Sequence, residues 1–313
     1  MNKKEGVVPK IGVALLAYNQ GGYIEDMIDS LRGQSFQDFE VILADDGSND
    51  GYTRQKLESL NYEKITRKVI DARNLGNAKR RKQLYGYLKN EFIVDLSADD
   101  VLAPRFFEST VEFLEENDDY GAVSTNIRMF ESSVDSYYYE HKFDSKKAIL
   151  PYMLARNQVL GSSLMRRKAL METDLSGGFS RYQDWDRWIS MLEKGWKIGL
   201  VDEPLFYYRQ VQSSLSHSAS IDDELKIRKQ LLKKHKSSYK KYYDDVIINM
   251  EYAFLEMKES KDWLDGQYNW LKKENEELRK KLESCGIGDG QQKRKRSGEK
   301  KQWVKLKRVF GRH

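Results

Sequence analysis

The feature of this sequence that most limits its fold is a set of short, largely apolar runs, each separated from the next by a helix-like segment. The clearest runs are Ile11–Ala17, Phe39–Ala44 and Phe92–Leu96. An unbroken apolar run of this length is typical of a strand that is covered on both faces of a parallel sheet. Strands that alternate with crossover helices predict an α/β fold with a doubly wound, mostly parallel sheet.

The segments between and after these runs predict the remaining elements. Helices are predicted at residues 23–31, 52–60, 76–88, 104–116 and 182–194, and further strands at 68–70, 122–130, 198–201 and 205–209. Residues 131–147 are polar and irregular and are predicted as a loop. Residues 1–218 are therefore expected to form one domain, which is within the usual size range.

Almost all of the chain from residue 219 to 285 is predicted as a helical extension, and it contains a seven-residue repeat. The two seam positions of the repeat hold Ile247, Phe254, Lys261, Tyr268, Asn275 and Leu282, and Met250, Met257, Leu264, Leu271 and Leu278. Such a repeat is typical of a coiled coil, in which a single Asn can fix the register. Lys261 favours the alternative, a helix folded back on the α/β domain. A homodimer and a monomer both stay open.

The C-terminal tail, residues 286–313, differs in charge from the rest of the chain. Residues 293–313 contain ten Lys or Arg and one acidic residue, so the remainder is mildly acidic although the whole chain carries +5. An acidic body argues against nucleic acid as a partner. Trp303, Leu306 and Phe310 would share one helical face flanked by basic residues, which predicts binding to an anionic membrane surface. A nucleic-acid contact of the tail and a solvated, disordered tail are the alternatives.

Two further features concern the compartment. The one cysteine, Cys285, cannot form an internal disulfide and suits a reducing compartment. Residues 1–10 lack the apolar run of a signal peptide, and no stretch reaches the roughly 18 apolar residues of a membrane-spanning helix. We therefore expect a cytoplasmic protein that contacts the inner face of the cell membrane through its tail.

Polar side chains follow three of the predicted strands at the point where each strand ends. They are Tyr18, Asn19 and Gln20 after the first strand, Asp45 and Asp46 at the second, and Asp99 and Asp100 after the fourth. Ligands bind beyond the carboxyl ends of parallel strands, so these groups are expected to face one crevice. Clustered carboxylates repel one another unless a cation lies among them, and oxygen ligands suit Mg²⁺ or Mn²⁺. Each acidic pair taken alone also suits a turn or a helix entrance.

Three blocks of the sequence carry recognisable motifs: residues 10–51, which end in ADDGSNDG, residues 74–100, which end in DLSADD, and residues 177–216, which contain YQDWDRW. In this order they resemble the family 2 glycosyltransferases of the GT-A fold, and the resemblance covers about residues 9–216. It implies a metal-dependent, inverting transfer of a sugar from a nucleoside-diphosphate sugar to an acceptor hydroxyl in bacterial cell-surface glycan synthesis. By the same resemblance we expect a UDP- or dTDP-linked donor and a glycan or lipid-linked acceptor.

The resemblance also implies roles for matching positions on the donor side. The matched residues are Tyr18 and Asn19 for the first donor loop, Asp45 for the nucleoside base, Arg81 for the basic residue ahead of the metal motif, and Asp99 and Asp100 for the ribose and the metal ion. Whether Asp99 or Asp100 is the main ligand of the Mn²⁺ or Mg²⁺ ion is left open. Ser97 departs from the family pattern, which often has an acidic residue there.

On the acceptor side, Asp184 matches the general base, Asp186 is the second candidate base, and a helix cap is the structural alternative for Asp184. Tyr182 and Trp185 lie beside it in sequence and are acceptor-side candidates. Gln183 stands where the family commonly has Glu, and Val211 where a His is frequent; His217 is a candidate substitute. Ser97 and Gln183 keep a catalytically silent scaffold open. A nucleotidyltransferase is a further alternative because similar sheets bind nucleotides, although residues 18–22 lack the Lys or Arg that its phosphate loop would need.

Overall fold

The computed structural model describes residues 8–175, 179, 181–211 and 220–284. The chain divides into two compact units, the first ending at Val246 and the second beginning at Ile247. The described strands are β1 (Ile11–Ala17), β2 (Phe39–Asp46), β3 (Ile65–Asp71), β4 (Phe92–Ser97), β5 (Val101–Leu102), β6 (Tyr120–Phe130), β7 (Tyr139–His141), β8 (Leu164–Arg166) and β9 (Lys197–Arg209). The described helices are α1 (Ile24–Arg32), α2 (Gly51–Ser59), α3 (Asn77–Tyr87), α4 (Phe106–Glu116), α5 (Leu150–Ala155), α6 (Arg167–Met171), α7 (Gln183–Glu193), α8 (Ile221–Lys234), α9 (Lys236–Lys241) and α10 (Tyr243–Ser284).

All of these strands belong to one sheet, in the order β3-β2-β1-β4-β8-β6-β9-β5, with β7 paired to β6. The long pairings β2–β3, β1–β2, β1–β4 and β6–β9 are parallel. The short strands β5, β7 and β8 pair antiparallel to their neighbours. The predicted α/β fold with a doubly wound, mostly parallel sheet is confirmed.

Two apolar cores cover the two faces of this sheet, because side chains alternate along each strand. In β1, Val13 and Leu15 face one core, and Ala14 and Leu16 face the other. Every residue of β1 is buried, which explains why this strand is one unbroken apolar run in the sequence.

The structure corrects two predictions of local structure. The strands predicted at 198–201 and 205–209 form one continuous strand, β9, since Pro204 lies at a shift in the β6–β9 register and therefore does not end it. The loop predicted at 131–147 contains the strand β7, which uses free backbone groups of β6.

Helices α8 and α9 belong to the first compact unit. Helix α8 begins with a capping box formed by Ser220 and Asp223, and it buries Ile227 and Leu231 in the same core as α7. The first compact unit therefore continues beyond residue 218. A separate functional role for the segment 219–285 stays a prediction.

The second unit is described as a helix from residue 247 to 284, the greater part of α10. The helical C-terminal extension is thus present, and its coiled-coil pairing stays a prediction. Across the residues described, no helix is both long enough and apolar enough to cross a membrane. His217, Cys285 and the tail at 286–313 lie outside the described residues.

Candidate active site

The candidate site lies at the carboxyl edge of β1, β2 and β4. In the sheet register Ala17 pairs with Asp45, and Leu16 pairs with both Ala44 and Ser97. The three parallel strands therefore end together. The residues that follow them leave the sheet at one edge, which is where ligands bind in open α/β sheets.

The buried carboxylate of Asp45 keeps one oxygen free at this edge. Its Oδ1 accepts hydrogen bonds from the backbone N and the Oγ of Ser48, at 3.0 and 2.6 Å. Its Oδ2 has no hydrogen-bond partner among the described residues, although the side chain is 0% exposed. A buried carboxylate oxygen without a donor is costly unless a ligand supplies that donor.

Asn19 connects the loop after β1 to the turn that holds Asp45. Its backbone N donates to Ser48 Oγ at 2.9 Å, and its Oδ1 accepts from the backbone N of Asn49 at 3.0 Å. Asn19 adopts a positive φ of 54°, which Asn tolerates better than most residues. Tyr18, its neighbour, is 41% exposed. Asn19 thus orients Asp45 through Ser48, and Tyr18 stays accessible at the rim.

Asp46, next to Asp45, is bound by protein groups at one of its carboxylate oxygens. Its Oδ1 accepts from Arg80 Nε at 3.1 Å and from the backbone N of Leu75 at 3.0 Å. Arg80 is itself 0% exposed and also donates to Asp71 at 2.9 Å. Asp46 therefore fastens α3 to β2, and its carboxylate is a structural group.

Asp99 and Asp100 form the turn after β4, and both side chains are buried. Burial raises the pKa of Asp99, partly offset by a hydrogen bond from the Gln20 side chain. Burial and the neighbouring Asp99 charge raise the pKa of Asp100 well above its ordinary value. Two adjacent, desolvated carboxyl groups are thus held where a positive charge would stabilise their ionised forms.

Arg209, the last residue of β9, holds this turn in place. Its Nε donates to the Asp99 carbonyl at 2.8 Å, and its backbone N donates to Asp100 Oδ1 at 3.2 Å. Its Nη2 donates to Asp26 of α1 at 2.5 Å. Arg209 is 3% exposed and stacks over the rings of Tyr23 and Phe130. The geometry of the acidic turn is therefore set by a distant part of the chain.

Arg81 lies beneath the turn. It is 6% exposed, and its guanidinium donates to the Leu96 carbonyl at 3.4 Å and to Ser97 Oγ at 3.2 Å. Its positive charge lowers the pKa values of Asp99 and Asp100 against the effect of burial. Arg81 therefore acts electrostatically on the acidic pair; its contact with a diphosphate stays a prediction.

The acidic turn fits a divalent ion in part. Asp99 and Asp100 supply carboxylate oxygens, whose raised pKa values indicate unrelieved repulsion and desolvation. Within the described ranges no group of three or more His, Cys, Asp or Glu could hold a metal by itself. Ions such as Mg²⁺ are commonly bound by one or two carboxylates with phosphate oxygens and water as the other ligands. The residues present suit a site that a nucleotide completes.

Asp184, at the start of α7, lies against the loop that precedes β8. Its Oδ2 accepts from Asn157 Nδ2 at 3.2 Å, and a Cβ added to Gly161 would stand 3.2 Å from the same oxygen. Strand β8 runs antiparallel to β4 with Leu164 opposite Val94, so Gly161 extends toward the carboxyl end of β4. The loop thus brings Asp184 to the edge that carries the acidic turn.

Asp184 is partly exposed as a residue, but burial of its carboxyl raises the pKa of that group, with a partial opposing effect from Arg187. A carboxyl with a raised pKa is a better proton acceptor than an ordinary aspartate. Tyr182, which precedes α7 with a positive φ of 57°, donates its hydroxyl to Glu224 of α8 at 2.5 Å. Burial, the Glu224 bond and the Asp184 charge raise the pKa of Tyr182 to about 12.

Trp185 is 3% exposed, and its indole N–H donates to the Met153 carbonyl at 2.5 Å. Arg228 of α8 stacks over its ring at 5.1 Å. Trp185 therefore packs in the core between α5, α7 and α8, while Tyr182 is partly exposed. The acceptor-side roles of both residues stay predictions.

Sequence reasoning missed two buried arginines, Arg187 and Arg209, that organise the site. Each lies in a block that resembles the family, but their partners are far away in sequence: Arg187 pairs with Asp95 and Arg209 with Asp26. An acidic residue inside the apolar run FIVDL was the available signal, since a buried Asp requires a cation or several donors.

Comparison with known proteins identifies the family and the fold. Residues 13–174 match the family model described as glycosyl transferase family 2. The chain is 28% identical over 214 residues to TuaG of Bacillus subtilis, named as a teichuronic acid biosynthesis glycosyltransferase, covering 66% of this chain and 82% of TuaG. It is 23% identical over 207 residues to an uncharacterized glycosyltransferase of Methanocaldococcus jannaschii, covering 64% and 71%.

Among solved structures, TarS residues 1–349 of S. aureus in complex with UDP-GlcNAc gives a TM-score of 0.53 at 18% identity, covering 71% of this chain and 66% of that one. A mannosyltransferase from Pyrobaculum calidifontis in complex with GDP-Man and Mn²⁺ also gives 0.53, at 14% identity, covering 81% and 75%. These two structures share the fold. With the family match spanning more than half of its length, this chain belongs to glycosyl transferase family 2.

Proposed function

We propose that this glycosyltransferase moves a sugar from a UDP- or dTDP-linked donor to an acceptor hydroxyl, with inversion at the anomeric carbon. The observation that carries the donor assignment is the free, buried Oδ2 of Asp45 at the carboxyl edge of the sheet. Uracil and thymine each present one imide N–H, which one free carboxylate oxygen can accept. Guanine presents two adjacent donors, and the second oxygen of Asp45 is already occupied by Ser48.

We propose Asp99 and Asp100 as the protein ligands of the divalent cation, Mn²⁺ or Mg²⁺, and Tyr18 and Asn19 as the first donor loop. When bound, the cation supplies charge stabilisation for the leaving diphosphate. Arg81 adds a fixed positive charge beneath the same turn. Arg209 holds the turn so that both carboxylates need not rearrange when the donor binds.

Asp184 is proposed to accept the proton of the attacking hydroxyl. Asn157 binds its Oδ2 and so limits rotation of the carboxylate. A positioned base contributes roughly 10²–10⁴-fold to rate. Attack from the side opposite the leaving diphosphate inverts the anomeric centre. Tyr182 and Trp185 are proposed to lie on the acceptor side, Tyr182 as a partly exposed contact and Trp185 as the support behind it.

The acceptor is proposed to be a glycan or a lipid-linked sugar of a cell-surface polymer. TuaG, one of the relatives, is named for teichuronic acid biosynthesis, which is the support for this class. The basic tail, residues 286–313, is proposed to bind an anionic membrane surface at the cytoplasmic face, where lipid-linked acceptors would be met. Its amphipathic sequence supports this.

The long helix of the second unit is proposed to form a homodimeric coiled coil. Taken by itself, it carries apolar side chains at the seam positions, among them Phe254, Met257 and Leu271. A single helix gains most of its stability from packing an apolar face. Sedimentation of the full chain and of a chain that ends at residue 246 tests this; equal subunit numbers would contradict it.

The donor is tested by thermal shift with UDP, dTDP and GDP, each with and without Mn²⁺, followed by turnover of the matching sugar nucleotides. A ligand at 100 times its Kd stabilises by about 2.7 kcal/mol, so the preferred nucleotide should stand out. We expect UDP or dTDP with Mn²⁺ to give the largest shift. A preference for GDP, or no turnover with any UDP- or dTDP-sugar, would refute the proposal.

A further inference from the structure

A buried polar network connects the helix that carries Asp184 to the strand that leads to the acidic turn. Arg187 of α7 is 3% exposed, and its Nη1 donates to Asp95 Oδ2 of β4 at 2.5 Å and to the Tyr85 oxygen of α3 at 2.6 Å. The Tyr85 hydroxyl donates to the same Asp95 oxygen at 2.5 Å. Arg81 Nη1 lies 3.5 Å from the other oxygen of Asp95. Three elements, α3, β4 and α7, therefore meet at one carboxylate.

Arg187 also fixes the loop against which Asp184 lies. Its Nη2 donates to the Gly161 carbonyl at 3.0 Å, and Gly161 approaches Asp184 Oδ2 so closely that an added Cβ would stand 3.2 Å away. Asp184 and Arg187 are three residues apart on one helix and so lie on the same side of α7. The same guanidinium thus sets the position of α7, of β4 and of the loop.

The charges around Asp184 come from few groups. Burial raises its pKa, and Arg187 opposes this effect. Tyr182, the residue before α7, and the Asn157 amide, in the loop before β8, both face Asp184. The high pKa of Tyr182 keeps its hydroxyl neutral. Behind Arg187, burial alone would raise the pKa of Asp95, but Arg187 and Arg81 lower it overall. Arg187 is therefore the cation through which this network acts on Asp184.

We propose that Arg187 is a positioning residue for the transfer reaction: its guanidinium holds the Asp184 carboxylate at the carboxyl edge of β4 and supplies the positive charge beside it. This inference rests on the proposed role of Asp184 as the base. It goes further because it assigns the positive charge beside Asp184 to a buried residue, Arg187. That residue is bound to β4, the strand that precedes Asp99 and Asp100.

A buried ion pair can also serve stability alone, so the test needs a measurement that packing would not change. The first measurement is the titration midpoint of the Asp184 carboxyl, followed by ¹³C NMR in protein labelled at aspartate carboxyl carbons. Asp184→Asn assigns the resonance by its absence. In Arg187→Met we expect the midpoint to rise by about one pH unit or more, since a nearby opposite charge lowers a carboxyl pKa by roughly 1–3 units.

Removal of Arg187 alone can unfold the protein, because Asp95 loses its main partner. In that case Tyr85→Phe/Asp95→Leu/Arg187→Met replaces the whole network by apolar side chains, a change that is often neutral for stability. Arg105→Met, which breaks an exposed ion pair with Glu108, is the matched control and should leave the midpoint where it is. An unchanged midpoint in a folded variant that lacks Arg187 overturns the proposal.

The second measurement is nucleotide release from the UDP-sugar that the wild-type protein turns over fastest. Arg187→Lys keeps the charge but loses the forked guanidinium, so we expect a near-normal midpoint and a kcat lowered by about 10²-fold through misplacement of Asp184. Unchanged kcat in Arg187→Lys would remove the positioning role. If no donor is turned over by the wild type, the proposed function fails, while the carboxyl titration still decides on the charge that Arg187 supplies.

Discussion

The carboxyl edge of the sheet and the α7–α8 layer both contain closely spaced acidic residues, and in both regions the two members of the pair differ. At the edge, Asp46 is bound by Arg80 and a backbone N–H, whereas Asp45 keeps a free oxygen. In the helical layer, Asp186 accepts from Lys234 and pairs with His235, at 2.8 Å each. Asp184 instead receives an amide hydrogen bond and has a raised pKa.

The difference separates structural carboxylates from candidate functional ones. A buried charge is tolerated when a cation and hydrogen-bond donors bind it. Asp46 and Asp186 each have such a cation, Arg80 and Lys234. A carboxylate left partly unsatisfied costs stability unless a ligand or a substrate proton completes it. By this criterion we propose Asp45 and Asp184 as the members of their pairs that act on ligands. The predictions below test the distinction, from the largest expected effect to the smallest.

The largest effect is expected for Asp184→Asn. The amide cannot accept the acceptor's proton, so transfer should fall by roughly 10²–10⁴-fold while nucleotide affinity stays unchanged. Turnover and UDP binding measured on the same preparation give both quantities. The matched variant Asp186→Asn should lower the free energy of unfolding and leave the turnover per folded molecule close to that of the wild type. Normal turnover in Asp184→Asn would erase the contrast between the two residues.

The second effect concerns Asp46→Ala. The buried guanidinium of Arg80 would lose its Asp46 partner, and we expect the free energy of unfolding to fall by about 3 kcal/mol. Urea denaturation measures this loss. A drop no greater than that of Asp45→Ala would show that the two neighbours are equivalent, and would contradict a structural role for Asp46.

The third effect concerns Asp45→Ala. Loss of a charged acceptor should weaken UDP binding by about 1.5–3 kcal/mol, and calorimetry with UDP and Mn²⁺ measures it. Because Oδ2 has no partner among the described residues, the ligand-free protein should lose less than about 1 kcal/mol, chiefly from the bonds to Ser48. Equal UDP affinity for the variant and the wild type would place the nucleoside base elsewhere.

The smallest effect is a pH dependence of stability from His235. Burial alone would lower its pKa, but hydrogen bonds to Asp186 and Glu193 raise it overall above 6.5. A raised folded-state pKa stabilises the protein below the unfolded value, and this contribution is lost as pH rises through the folded value. Between pH 6 and pH 9 the free energy of unfolding should therefore fall more for the wild type than for His235→Gln. Parallel curves would show that the buried pair does not titrate.

Much of the fold could be predicted because a strand that is buried on both faces has an apolar sequence over consecutive residues. Ile11–Ala17 contains no polar side chain and Phe39–Ala44 contains one, Glu40, since both faces of the sheet are covered. The division of β9 into two strands was wrong because Pro204 suggests a break, while the register shift that accommodates it depends on β6. The strand β7 was missed for a similar reason: its three residues pair only because β6 offers an edge.

The candidate site was predicted to the extent that its residues follow strand ends. Asp45, Asp99 and Asp100 do so, and all three are buried; that they line one crevice stays a prediction. The burial of the basic side chains near these carboxylates could not be predicted. Arg80 and Arg81 lie in a run of four basic residues, and the sequence does not show that these two are buried while Lys79 and Lys82 are exposed.

The sequence by itself determined the α/β alternation, the parallel sheet and the edge at which acidic residues gather. Buried strands have apolar local sequences, and their alternation with helices predicts strands that run in the same direction. Only the tertiary structure decided which carboxylate of each pair is neutralised by a cation. That choice depends on arginines and lysines brought from distant segments, such as Arg209 to the Asp99 turn and Lys234 to Asp186. Electrostatic partners act through space, and their sequence separation carries no periodic signal from which to predict them.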